Sequence, residues 1–254
     1  MLRNLFCIFI AGVWTVILFP FAIGAMIVTL NPSASMYVVQ RWWSPVLLWA
    51  GGAKLEVLGA DKLKPGQPYI FVSNHQSTID IPALFVAIPI DFRFVAKKVL
   101  KHVPFLGWYM SLAKFVFIDR ANHRDALKSL EEAGARIRGG ISIVMFPEGT
   151  RSDDRRVLPF KKGPFALALK AQVPLVPIAI EGSGVLMPKN SWDITPGPIK
   201  VSIGEPIDPA PFGEDRLALI KAVRAKVIEQ NQALGGRGGN VDDAVAARGK
   251  EGTS

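Results

Sequence analysis

The chain carries two hydrophobic patterns, a long uninterrupted one and then many short ones. From Leu5 to Leu30 no charged residue occurs, a run long enough to cross a hydrocarbon layer of about 30 Å as a helix. Pro20 and Gly24 interrupt it, so a kinked or partly inserted helix fits as well as a straight span. The run exceeds the apolar core of a secretory signal, and no clear small-residue cleavage site follows it. Asn31-Pro32 breaks the pattern. A second apolar stretch, Met36 to Ala50, carries Tyr37, Trp42, Trp43 and Trp49, side chains that favour headgroup depth, with Arg41 placed to snorkel. Residues 1–50 are expected to form a membrane-embedded helical hairpin, or a span followed by an interfacial helix. A plain anchor with no part in any chemistry gives the same pattern.

After Gly51-Gly52 the apolar runs shorten and become rich in β-branched residues. They predict strands at Lys54–Leu58, Tyr69–Ser73, Asp91–Ala96, Phe115–Ile118, Ser142–Phe146, Leu175–Glu181 and Ile199–Ile203. Helical spacing predicts helices at Ile79–Ala87, Ala126–Arg138, Pro164–Ala171 and Glu214–Gln230. Strands alternating with helices predict an α/β domain over residues 51–234, with a mixed, largely parallel central sheet flanked by helices. From Gly235 to the end the chain is glycine-rich, polar and aperiodic, and is expected to be a disordered tail.

Composition narrows the partner. Half of the residues are hydrophobic and the net charge is +9, more apolar than a usual soluble domain and suited to an anionic surface. The aromatics do not interleave with basic residues as a base-stacking platform requires, so a lipid bilayer is favoured and no nucleic-acid partner is expected. The basic bulk follows the apolar segment. Positive-inside reasoning therefore puts the domain on the cytoplasmic side of the cell inner membrane or another cytoplasm-facing membrane. Cys7 is the single cysteine, and the histidines, His75, His102 and His123, are widely spaced. An internal disulfide and a cysteine-based zinc site are excluded, and no metal is expected.

Two short polar segments carry the candidate chemistry. Asn74-His75-Gln76-Ser77-Thr78-Ile79-Asp80 follows the run ending at Val72, and Phe146-Pro147-Glu148-Gly149-Thr150-Arg151-Ser152 follows the run from Ile141. If both runs are strands of one sheet, their ends bring the two loops together. On a continuous helix His75 and Asp80 would point about 140° apart. With His75 in the loop and Asp80 in the first turn of a helix they can hydrogen-bond, and Ser77 or Thr78 can cap that helix. Asp80 would then fix the imidazole tautomer while the other ring nitrogen takes a proton from a hydroxyl. A structural histidine tied to a turn carboxylate reads the same way, because this spacing alone is a weak motif. Gly149 lets backbone amides approach a ligand, Thr150 adds a hydroxyl, and Arg151 can grip a phosphate through two donors. Glu148 only accepts, so it suits an arginine or a substrate hydroxyl better than a phosphate; a plain turn with a solvated arginine is the bland alternative. Arg120, after a predicted strand, can join Arg151 around a phosphate monoester or pair with Asp119. Lys161 and Lys162 precede a helix and offer a further phosphate contact or a solvated basic turn.

Taken together these segments resemble the glycerolipid acyltransferase family, in its 1-acyl-sn-glycerol-3-phosphate acyltransferase branch. The matching blocks are Asn74–Asp80, Lys98–Arg120, Phe146–Ser152 and Val173-Pro174-Leu175-Val176-Pro177, within roughly residues 50–208. Val99 and Lys114 depart from the second block, where glutamate and glycine are common, which leaves acceptor selectivity open. The resemblance implies transfer of a fatty acyl group from acyl-CoA or acyl-carrier protein to the sn-2 hydroxyl of lysophosphatidic acid, with no cofactor. It implies His75 and Asp80 as catalytic residues. Arg120, Glu148, Gly149, Thr150, Arg151 and, with less claim, Lys98 would form the substrate site. Another lyso-lipid acceptor is the alternative, and a non-catalytic lipid-binding protein is a more distant one.

Overall fold

The computed structural model describes residues 2–118, 132–240 and 243–245. One sheet organises them, built from β1 (Ala53–Leu58), β2 (Ile70–Ser73), β3 (Phe92–Lys97), β4 (Val116–Ile118), β5 (Ser142–Met145), β6 (Leu175–Glu181) and β7 (Gly197–Ile203). Each lies where a short apolar run predicts a strand, with ends shifted by at most two residues. The order across the sheet is β1-β7-β6-β2-β5-β3-β4. Adjacent strands are parallel except β6 and β7, which are antiparallel. Strands β2 to β6 therefore all end on the same edge. The central strands β2, β5 and β6 are buried at every position, whereas β1 alternates. A strand covered on both faces has no polar side, which explains its continuous apolar run.

Two apolar layers sandwich the sheet. One face packs Phe71, Phe92, Val144 and Ile178 against α4 (Asp80–Ala87), α5 (Leu106–Leu112) and the N-terminal helices. The other packs Ile70, Val72, Ile143 and Leu175 against residues 132–138, α6 (Gly163–Ala171) and α7 (Arg216–Ala233). A fully buried aliphatic or phenyl side chain contributes about 1.5–3 kcal/mol, so these layers dominate the stability of the fold. Residues 132–138 are helical; the start of the helix expected at Ala126 lies outside the described residues.

The N-terminal segment is a helical hairpin. α1 (Leu2–Thr29) continues through Pro20 and turns at Leu30, whose φ is 52°. The return arm is α2 (Ser33–Val38), a π-helical turn at Val39–Trp43, and α3 (Ser44–Gly51). Indole N–H groups stitch the arms: Trp14 donates to the carbonyl of Trp42 at 2.9 Å and Trp43 to Thr15 Oγ1 at 2.8 Å. The hairpin is fastened to the domain through Ala22, Met26, Met36 and Leu48 in the core. Polar contacts add to this: the buried guanidinium of Arg93 on β3 donates to Ser33 Oγ at 3.3 Å, and Gln40 donates to the carbonyl of Ile90 at 3.1 Å. The rest of α1 exposes Leu5, Phe9, Val16, Phe21, Ile27 and Val28. It is long and apolar enough to cross a membrane.

The C-terminal segment departs from expectation. Residues 235–240 and 243–245 are packed rather than disordered. The amide of Val157 donates to the carbonyl of Gly238 at 2.8 Å, and that of Phe160 to Ala244 at 3.2 Å. Buried Arg224 donates to the carbonyls of Val157, Leu158 and Asn240. A Cβ on Gly239 would sit 2.5 Å from the carbonyl oxygen of Val157. Glycine here permits close approach of two backbones, a use that aperiodic composition does not distinguish from flexibility.

Candidate active site

The loop between β2 and α4 is built around one carboxylate oxygen. Asp80 opens α4 and is fully buried. Its Oδ2 accepts from His75 Nδ1 at 2.8 Å and from the amides of Gln76 and Ser77 at 2.8 and 2.9 Å. The helix N-terminus adds a favourable field for negative charge. With Asp80 on Nδ1, the proton belongs on that nitrogen and Nε2 is left as an acceptor. The expected cap from Ser77 or Thr78 is not made to α4: Ile79 is the N-cap residue without a side-chain bond, and Ser77 Oγ donates to the carbonyl of Met187 at 2.6 Å.

The residues on either side of His75 are anchored to the end of β6. Asn74 forms two bonds with Ile180, Nδ2 to its carbonyl at 2.9 Å and Oδ1 from its amide at 2.8 Å. Gln76 Nε2 donates to Glu181 Oε2 at 2.8 Å. Between these anchors the imidazole stacks on Phe146 with centroids 3.9 Å apart and planes 14° from parallel, and Phe146 stacks in turn on Phe94. One face of the ring is thus covered, and the side chain stays 17 % exposed.

The loop after β5 closes on the first through the backbone. The Ser152 amide donates to the His75 carbonyl at 2.8 Å, and Gly149 turns the chain with φ 78°. A Cβ at Gly149 would meet Lys161 Cε at 2.8 Å, so the lysine stem lies against the turn. Arg151 is directed at the first loop: Nη1 donates to Thr78 Oγ1 at 3.0 Å and Nη2 to Asn190 Oδ1 at 3.3 Å. Thr150 is exposed beside it. The structure thus brings His75, Asp80, Gly149, Thr150 and Arg151 to one edge, as adjacent parallel strands β2 and β5 require.

Glu148 corrects an expectation. Read as a group for an arginine or a substrate hydroxyl, it is 4 % exposed, and neither carboxylate oxygen has a hydrogen-bond partner among the described residues. Burial pushes its pKa well above the usual carboxylate range, although the nearby amides of His75 and Leu158 pull the other way; Asp80 adds to the rise and Arg224 opposes it. Its carboxylate lies inside the loop, beside the backbone of His75 and shielded from solvent. Lys98 begins the short helical segment Lys98–His102 after β3, two strands from β2 on the same edge. Arg120 lies outside the described residues. Phe146, Asn190, Glu181 and Asn231 are contacts that motif reading passes over. Only Phe146 lies within a motif, where its charged neighbours carry the stronger signal.

Residues 54–181 match the family model described as Acyltransferase. The chain belongs to the acyltransferase family. It is 32 % identical over 205 residues to the 1-acyl-sn-glycerol-3-phosphate acyltransferase of Saccharomyces cerevisiae, covering 79 % of this chain and 67 % of that protein. To the protein of the same name from Limnanthes alba it is 37 % identical over 173 residues, covering 68 % of this chain and 61 % of the relative. The crystal structure of the 1-acyl-sn-glycerophosphate (LPA) acyltransferase PlsC from Thermotoga maritima superposes with a TM-score of 0.81 at 30 % identity. That match covers 92 % of this chain and 95 % of the other. The acyltransferase match thus takes in both loops of the site, from β1 to the end of β6.

Proposed function

We propose that this acyltransferase moves a fatty acyl group from a thioester, acyl-CoA or acyl-carrier protein, to the sn-2 hydroxyl of lysophosphatidic acid, yielding phosphatidic acid. The observation that carries the reading is the His75–Asp80 hydrogen bond in a loop that Arg151 also touches. A base and a phosphate-binding guanidinium are thereby held on one surface. The names of the relatives support this acceptor. His75 Nε2 takes the hydroxyl proton, and Asp80 stabilises the imidazolium that results. The alkoxide oxygen attacks the thioester carbonyl, the C–S bond breaks, and the proton on Nε2 passes to the departing thiolate. Arg151 holds the acceptor phosphate, with Thr150 and the backbone at Gly149, and Arg120 and Lys98 are further candidates for that charge.

The hairpin serves the same reaction. An α1 embedded in a cytoplasm-facing membrane, with the Trp-rich arm at headgroup depth, leaves the acyl chains of both lipids in the bilayer. Drawing a chain into water costs about 0.8 kcal/mol per methylene, a cost that a site at the interface avoids.

The test is an acyl-transfer assay on membranes holding the wild-type chain or His75→Ala, with lysophosphatidic acid, either donor, and products identified by mass. Phosphatidic acid from wild type and none from the variant is the expected result. Equal product from both would overturn the role of His75. Product only with another lyso-lipid would overturn the acceptor while keeping the acyltransferase.

A further inference from the structure

Behind the base lies a buried polar cluster of which only Gln76 belongs to a recognised motif. Glu181, the last residue of β6, is 8 % exposed. Its Oε2 accepts from Gln76 Nε2 at 2.8 Å and from Asn231 Nδ2 at 3.2 Å, and Arg155 reaches Oε1 at 3.4 Å. Gln76 is fully engaged: Nε2 also donates to the carbonyl of Arg155 at 3.2 Å, and Oε1 faces the amide of Gly184 at 3.4 Å. Asn231, on α7 and completely buried, donates to the carbonyl of Ile180 at 3.3 Å and accepts from the amide of Gly238 at 2.9 Å. A buried carboxylate is costly unless its partners are in place. This one is retained at the position where β6, the His75 loop, α7 and the C-terminal segment meet.

The chemical consequence runs through Gln76. Its backbone amide is one of the three donors on Asp80 Oδ2, while its side chain is held by Glu181. Holding the side chain at its far end narrows the range over which the residue, and with it the amide on Asp80, can turn. On the other side of His75, Asn74 is bonded to Ile180, and the carbonyl of Ile180 also accepts from Asn231. We propose that Glu181 and Asn231 are positioning residues for the His75–Asp80 dyad, acting through Gln76 and the backbone of Ile180. Neither needs to touch substrate. This inference rests on the reading of His75 as the base, and it adds a role for α7, which lies outside the segment matched by the family model.

Glu181→Ala removes one acceptor from each of two buried amide groups and leaves the Gln76 side chain held only by Arg155 and Gly184. Glu181→Gln keeps a carbonyl oxygen for those donors. The experiment compares wild type, Glu181→Ala, Glu181→Gln and Asn231→Ala in two measurements on the purified full-length protein in detergent. One is steady-state kinetics of acyl transfer. The other is the NMR signal of the His75 Nδ1 proton, which its bond to Asp80 shifts to low field and which needs no substrate. Small misplacements of a reacting group cost about 10²-fold in rate. Glu181→Ala is therefore expected to lower kcat about 10- to 100-fold with KM for the acceptor nearly unchanged. Its low-field signal should move upfield and broaden. Glu181→Gln should restore most of both, and Asn231→Ala should fall between.

A low-field signal in Glu181→Ala identical to wild type would overturn the proposal, whatever happens to the rate. So would equal slowing by the alanine and glutamine variants, because loss of packing alone does not distinguish them. A partly unfolded preparation lowers the amplitude of the signal but does not move it. If wild type fails to acylate lysophosphatidic acid, the functional reading fails. The NMR comparison still decides whether Glu181 orients the dyad.

Discussion

The loop after β2 and the loop after β5 stand side by side on one sheet edge and are built in opposite ways. In the first, Asn74, Gln76 and Ser77 are buried and bonded, Asp80 carries three donors on one oxygen, and His75 is pressed against Phe146. In the second, the groups able to meet a ligand, Thr150 and Arg151, are held lightly at the surface, Arg151 by two neutral side-chain oxygens. A proton-transferring group gains from a fixed position. A phosphate-binding group gains from donors that can leave weak partners for a strong one. On the proposed reading the contrast divides the labour: rigidity for the base, exchangeable contacts for the clamp.

Four measurements break or sharpen that contrast. Asp80→Asn should have the largest effect, because the amide can place an N–H toward His75 and reverse the tautomer. Steady-state assays should show kcat reduced by about 10²- to 10⁴-fold, with acceptor KM little altered. A variant retaining most of its rate would remove the first loop from the chemistry. Arg151→Ala should act on the other parameter, raising acceptor KM by about 10- to 100-fold, while a lysophospholipid lacking the free phosphate monoester should be insensitive to it. A fall in kcat alone would contradict the assignment of binding to the second loop.

Smaller effects concern stability. Deleting residues 235–254 removes the carbonyl of Asn240 from Arg224 and the amide of Gly238 from Asn231. The midpoint of thermal unfolding should drop by on the order of 5 °C. No change would mean that the packing of residues 235–240 and 243–245 contributes nothing. The smallest effect is that of Glu148→Gln. Burial raises the folded-state pKa of Glu148 above its ordinary value of 4.5. The native state then binds the proton more tightly than the unfolded chain does. Stability is fully present below the unfolded value and is lost as pH rises through the folded one. The glutamine variant, which cannot ionise, should match wild type near about pH 4 and exceed it by about 2–4 °C near about pH 8. A constant difference across that range would place the carboxylate in contact with water.

Most of the sheet was legible because its signal is local. Buried strands such as Ile70–Ser73 and Leu175–Glu181 must be apolar throughout, and turn residues bound each run. The spacing of His75 and Asp80 likewise carried its geometry, since the bond requires a loop before a helix. What escaped depends on partners distant in sequence. The order that places β2 between β5 and β6 follows from long-range pairing. The burial of Glu148 follows from segments around residues 158 and 224, and Asn231 meets Glu181 only because α7 packs on β6. The packing of the glycine-rich residues 235–240 is hidden in the sequence because the same residue serves both flexible chain and tight backbone contact. The short helices at Lys98–His102 and Leu106–Leu112 are too brief to show a period.

The hydrogen bond from the Ser152 amide to the His75 carbonyl has one more consequence. It ties the backbones of the two loops together and so sets, on the proposed reading, the distance from the base to the root of the Arg151 side chain. On that reading the distance would be matched to the span between the reacting hydroxyl and the phosphate of an acceptor. Two alcohols of equal reactivity on one glycerol backbone would be told apart by that span alone.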